Sequence, residues 1–138
     1  MGGVFGSALL GRSWHGGYAV AADAAGATLL ALGLLLLATA ALQLGSSLTP
    51  FPAPRGGEAL TTTGAYGLAR HPMYGGGILI ALGWTILFAS LAGLAFTVVL
   101  AVFLDLKARR EEAWLCERLP GYEEYLRQIP HKLLPFIY

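Results

Sequence analysis

Residues 73–104 read MYGGGILIALGWTILFASLAGLAFTVVLAVFL, 32 residues without one charged side chain. As a single helix this stretch would be about 48 Å long, against a bilayer hydrocarbon core of about 30 Å. Two short helices folded back on each other fit that thickness, and one long tilted helix is the other reading. The hairpin reading puts the turn near Ser90 to Gly93, where small residues interrupt the bulky ones. Gly77, Ala81 and Gly83 would let a neighbouring helix approach closely.

Composition puts the stretch in a membrane. Of 138 residues 56% are hydrophobic and 12% charged, with mean hydropathy +0.62, outside the range of a soluble domain of this size. The length allows one domain of a few spans. A net charge of +1, spread along the chain, gives no argument for nucleic acid. Cys116 is the single cysteine, so it forms no internal disulfide and has no thiol partner for a metal site; it reads as a small half-buried residue.

Residues 1–17 are Gly-rich, with Arg12 and His15 as their ionisable side chains, and read as a flexible tail. Residues 24–42 carry no charge and are long enough for about 28 Å of helix, so a first transmembrane helix is expected over about 19–44. A signal peptide would have a shorter apolar core with a cationic flank close by, and that reading is rejected. Asp23 marks the outer boundary of this helix or is shared with another. Three prolines at alternate positions in residues 45–57 forbid a regular helix and predict a surface loop. The remaining spans are expected at about 73–90 and 93–107, giving an all-α membrane protein of about three transmembrane helices.

Charge placement favours the hairpin. It puts Arg55 and Arg70 on the same side as Lys107, Arg109, Arg110, Arg118, Arg127 and Lys132, leaving Arg12 alone outside, so eight of nine cations face one compartment. The rule that cationic loops stay in the cytosol then sets the amino terminus outside.

The polar chemistry lies on either side of the hairpin. Residues 61–77 place hydroxyls, Arg70, His71 and a run of glycines against the start of an apolar segment. Pro72 suggests a helix whose first turn begins there, with amide groups available to a small charged ligand. Glu111 and Glu112 form a second polar cluster just beyond the last span. Residues 105–138 are charged and partly amphipathic: Leu115, Leu119, Tyr122, Leu126 and Ile129 recur at helical spacing, and Pro120-Gly121 should split the helix into two pieces lying along the membrane surface. Trp114, Tyr122, Tyr125, Phe136 and Tyr138 suit an interfacial anchor. Taken singly, Arg70 also reads as a positive-inside anchor, Tyr74 as an interfacial aromatic, and Glu111 and Glu112 as a solvated face paired with Lys107 or Arg109.

The ordered set is more specific than its pieces. Thr63-Gly64-Ala65-Tyr66, Arg70-His71-Pro72-Met73-Tyr74 with its following glycines, the hairpin, Arg110-Glu111-Glu112, Tyr122 and Tyr125, Ile129-Pro130 and Leu134-Pro135 together resemble the isoprenylcysteine carboxyl methyltransferase and phospholipid methyltransferase group of integral membrane enzymes. The resemblance implies methyl transfer from S-adenosylmethionine to a carboxylate or thiol of a hydrophobic or isoprenylated acceptor. It also implies a cofactor site made by Arg70, His71, Pro72, Tyr74, Glu111 and Glu112, with Gly75, Gly76 and Gly77 giving backbone clearance and Arg70, His71 and Tyr74 at the reacting groups. A guanidinium would pair with the cofactor carboxylate, and the glutamates would accept from its ammonium or ribose. A carboxylate acceptor needs a cation to position it; a lipid amine must lose a proton, which makes His71 or Tyr74 the candidate base. The alternatives are phospholipid N-methylation and a non-catalytic membrane scaffold. The chain departs from the group in two ways. Members commonly have four or five spans, so part of the acceptor pocket is absent or comes from a second copy in a homo-oligomer, and the segment between Leu119 and Tyr122 is about one residue short.

Overall fold

The computed structural model describes residues 16–45 and 62–138. Arg12, His15, Arg55, Thr61 and the proline-rich loop lie outside the described residues. The described residues form helices and turns, in the order α1 (Ala19–Leu44), α2 (Ala65–Leu68), α3 (Pro72–Leu87), α4 (Leu91–Arg118) and α5 (Tyr122–Gln128). The helices α1 and α4 are long and apolar enough to cross a membrane, and α3 is a shorter apolar helix of 16 residues. The protein is an all-α membrane protein. Its exposed large side chains include Leu34, Leu35, Val98, Val99, Val102 and Phe103, an apolar surface that suits lipid.

The chain divides into two compact units, residues up to 35 with 76–103, and 36–75 with 104–138. Within the first unit, α1 and α3 meet through glycines spaced seven apart on both helices. A Cβ built on Gly33 would lie 2.8 Å from the Gly76 carbonyl oxygen, and one on Gly83 would lie 2.6 Å from the Leu30 amide nitrogen. Lipid tails are as apolar as the side chains, so such helices are held by close backbone packing, which a glycine seam permits. Gly83 takes part as expected, but Gly77 faces open space and Gly76 fills the seam instead. The reason is the helical period: Gly76 and Gly83 share a face that Gly77, one residue on, leaves by about 100°.

The apolar stretch does fold back. In the first unit the Thr85 and Thr97 hydroxyls lie 3.1 Å apart, and each also donates to the carbonyl four residues before it, Ala81 and Gly93. The turn falls at residues 88–90, slightly before the expected position. Ala89 takes a left-handed φ of 45°, and the Ala89 and Ser90 amides donate back to Ile86 and Thr85 to close α3. Ser90 then starts the next helix, its hydroxyl accepting from the Gly93 amide at 3.0 Å, so Gly93 belongs to α4. We expect Ser90→Ala to cost about 1 kcal/mol, measurable as reversible unfolding in mixed micelles.

Two expectations for the carboxyl-terminal part are corrected. Residues 105–118 are not a separate surface helix, because α4 runs unbroken to Arg118. Asp105 pairs with Arg109, and Lys107 with Glu111, one turn apart, and no helix breaker intervenes before Pro120. The predicted break at Pro120-Gly121 is present, with Gly121 left-handed at φ 91°. Tyr122 and Tyr125 are not interfacial anchors. They are 3% and 4% exposed and form the core of the second unit, where the Tyr125 hydroxyl donates to the Tyr66 carbonyl at 2.7 Å.

Candidate functional site

The site is built within the second unit from the start of α3, the polar part of α4 and the segment after α5. Pro72 is the first residue of α3 and is fully buried, its fixed φ suiting the first helical turn. Most of the amides at the helix start, which the sequence suggests are available to a ligand, are already engaged. The Tyr74 and Gly75 amides donate to the His71 carbonyl, and the Arg70 and His71 amides donate to the carbonyls of His131 and Lys132 at 3.0 and 2.7 Å. The room beside Gly75 is likewise taken, by the Leu133 carbonyl.

These bonds aim the side chains of Arg70, His71 and Tyr74 at α4. Arg70 Nε donates to Glu112 Oε1 at 2.7 Å, and its Nη1 donates to the carbonyls of Ile129 and Pro130 at 2.8 and 2.9 Å. His71 lies between the two carboxylates, with Nε2 3.2 Å from Glu112 Oε1 and Nδ1 3.7 Å from Glu111 Oε2. Its ring stacks on that of Tyr74, whose hydroxyl donates to both Glu111 oxygens at 2.7 and 2.8 Å. Of the expected residues, Arg70, His71 and Tyr74 meet Glu111 and Glu112, 37 to 42 positions away in sequence, whereas Gly76 packs on α1 in the first unit and Gly77 faces open space. One contact differs from expectation: the Arg70 guanidinium, expected to pair with a ligand carboxylate, is committed to Glu112 and two carbonyls.

Electrostatics follows from shelter. Arg70 and Glu112 side chains are 10% and 13% exposed, so their charge-assisted bond works in a low dielectric. Glu112 lies about two turns beyond the charge-free part of α4. Burial raises its carboxyl pKa, but hydrogen bonds from His71 and Arg70 outweigh this and hold it below the ordinary value. Burial raises the phenols of Tyr122 and Tyr125.

Sequence reasoning missed Lys107 as part of the site. Its ammonium is 3.6 Å from Glu111 Oε1 and 5.1 Å from the centre of the Tyr74 ring. The signal was its four-residue spacing to Glu111, which reads equally as an ordinary surface pair. The carbonyls of residues 129–132 were also missed, because main-chain acceptors carry no residue-type signal.

Two cations, an imidazole and a phenol thus converge on paired glutamates in an all-helical membrane protein. The chain belongs to the phospholipid methyltransferase family, whose sequence model matches residues 21–120, a range that holds Arg70 to Tyr74 and both glutamates. It is similar to the protein-S-isoprenylcysteine O-methyltransferase of Schizosaccharomyces pombe, 33% identical over 105 residues, covering 73% of this chain and 44% of that protein. It is also similar to protein-S-isoprenylcysteine O-methyltransferase B of Arabidopsis thaliana, 31% identical over 116 residues, covering 81% and 58%. A delta(14)-sterol reductase of Mus musculus is 29% identical over 85 residues, covering 59% of this chain and 20% of that protein. The chain thus spans from a fifth to under two thirds of the length of these relatives.

Proposed function

We propose that this chain is an S-adenosylmethionine-dependent membrane methyltransferase acting on a carboxylate or thiol of a hydrophobic or isoprenylated small molecule. The observation that carries the reading is the convergence of Arg70, His71 and Tyr74 on Glu111 and Glu112. The donor set fits the cofactor: two carboxylates suit an ammonium and a ribose diol, and their negative charge suits a sulfonium. S-adenosylmethionine supplies an electrophilic methyl group. Glu111 and Glu112 hold its polar end, Arg70 keeps Glu112 ionised and oriented, and Tyr74 orients Glu111. Alignment and exclusion of water are then the protein's task.

The state of the candidate bases favours a carboxylate or thiol over an amine. Both ring nitrogens of His71 face carboxylates, and the Tyr74 hydroxyl is a donor to Glu111, so neither is arranged to take a proton from an incoming ammonium. An ionised carboxylate needs no base, and Lys107 and Arg70 supply positive charge nearby. The second reading, phospholipid N-methylation, is favoured by the description of the matched family. In either case residues 1–138 act as one methyltransferase-like domain, the amino terminus lies outside, and the glutamate pair faces the cytosol; the distribution of cations supports this orientation. A second copy in a homo-oligomer would complete the acceptor pocket.

The test is transfer of labelled methyl from S-adenosylmethionine in reconstituted membranes with added prenylated thiols and acids. Label in an alkali-labile ester or a thioether of the acceptor supports the proposal. Label in phosphatidylethanolamine derivatives supports the second reading, and none anywhere leaves a scaffold that keeps the fold alone.

A further inference from the structure

Asp105 is the first charge after the 32-residue apolar stretch, and it is held by three side chains. Lys132 Nζ lies 2.7 Å from its Oδ1, Arg109 Nε lies 2.7 Å from its Oδ2, and the Tyr138 hydroxyl donates to Oδ1 at 3.3 Å. Arg109 is 61% exposed and its pair is the kind that contributes little. Lys132 is 12% exposed and lies over the Tyr138 ring at 5.0 Å. The sheltered pair of the three is therefore Lys132 with Asp105.

Lys132 also acts through its main chain, since its carbonyl accepts the His71 amide at 2.7 Å. The carbonyls of residues 129, 130 and 131 serve Arg70, the first two at the guanidinium and the third at the amide. Four successive carbonyls are thus spent on two side-by-side residues of the site. The segment that offers them follows the end of α5 and has no helical hydrogen-bond ladder of its own, so its placement depends on what ties it down. Asp105 and Glu112 are seven residues apart on α4, about two turns on the same face. A salt bridge to Asp105 therefore gauges the segment against the very helix that carries the glutamates.

We propose that Lys132 and Asp105 are positioning residues, a clasp that sets Arg70 and His71 in register with Glu111 and Glu112. Its consequence for ligand binding rests on the cofactor reading above; its consequence for the register of Arg70 and His71 does not. The test uses the full chain in lipid nanodiscs with two readouts. The first is amide hydrogen exchange at Arg70 and His71, followed by NMR, which needs no ligand. Lys132→Met and Asp105→Asn should each speed it about tenfold, the double variant should add nothing further, and Lys132→Arg should restore protection. The second is calorimetric binding of S-adenosylhomocysteine, where the same variants should raise the dissociation constant about tenfold with the same lack of additivity and the same rescue. If Lys132→Met fails to fold, Lys132→Gln takes its place. Unchanged exchange at His71, or losses in the double variant equal to the product of the single ones, overturns the clasp. If the unaltered protein binds no S-adenosylhomocysteine, the cofactor reading fails, and the exchange readout alone decides the clasp.

Discussion

Arg70→Met is expected to destabilise the protein by about 3–5 kcal/mol, the cost of leaving a sheltered carboxylate without its cation. The arginine holds Glu112 at 2.7 Å and two carbonyls besides, so methionine removes three hydrogen bonds at once and leaves Glu112 with His71 alone. Arg70→Lys should recover little, because a single ammonium on a flexible stem does not reproduce the planar fork that reaches Glu112 and both carbonyls. The pH dependence has a definite sign. The Glu112 carboxyl is held below its ordinary pKa, so the stability it contributes is present above the unfolded value and is lost as pH falls through the lowered one. Without Arg70 the Glu112 pKa moves back up toward or past its ordinary value, so this acid-linked loss should shrink. Unfolding in mixed micelles as a function of pH measures both, and a cost below about 1 kcal/mol, the range of an exposed pair, would show that the site is not sheltered.

The second large effect is expected at the glycine seam. A Cβ on Gly83 would meet main-chain atoms of α1, the Leu30 nitrogen at 2.6 Å and the Gly26 oxygen at 2.7 Å. Main chain cannot swing aside as a side-chain tip can, so Gly83→Val must move α1 from α3 locally, at about 3 kcal/mol or more. Gly77→Ala is the control. Nothing lies within 4 Å of its added methyl, and alanine is the better helix former, so stability should rise by up to about 1 kcal/mol. Equal effects at the two positions would contradict the seam.

Much of this was legible in the sequence. The charge-free 32 residues are too long for one span, and that mismatch with bilayer thickness predicted the hairpin. Pro72 marked a helix start and Pro120-Gly121 a break, because each acts on its own backbone. What could not be read depends on partners distant in the chain. Gly76 rather than Gly77 faces α1 because of the rotation of α3, and nothing local to three successive glycines fixes that rotation. Tyr122 and Tyr125 have the composition of interfacial aromatics, and Tyr125 is identified as core by its bond to Tyr66. Arg70 looked free to meet a ligand because the carbonyls of Ile129 and Pro130 that occupy it leave no mark in the sequence. The similarity to both methyltransferases and a sterol reductase shows in turn that a shared segment does not by itself name a reaction.

The central claim is that the paired glutamates met by Arg70, His71 and Tyr74 form a cofactor site, and its most direct test is titration of S-adenosylmethionine into lipid-reconstituted protein. Glu111→Gln is the variant of choice, since it removes one charge while leaving the Arg70 and Glu112 pair in place. Saturable binding to the unaltered protein, weakened about tenfold or more in Glu111→Gln with an unchanged unfolding transition, is the predicted result. No saturable binding, or equal affinity in both proteins, would contradict the account.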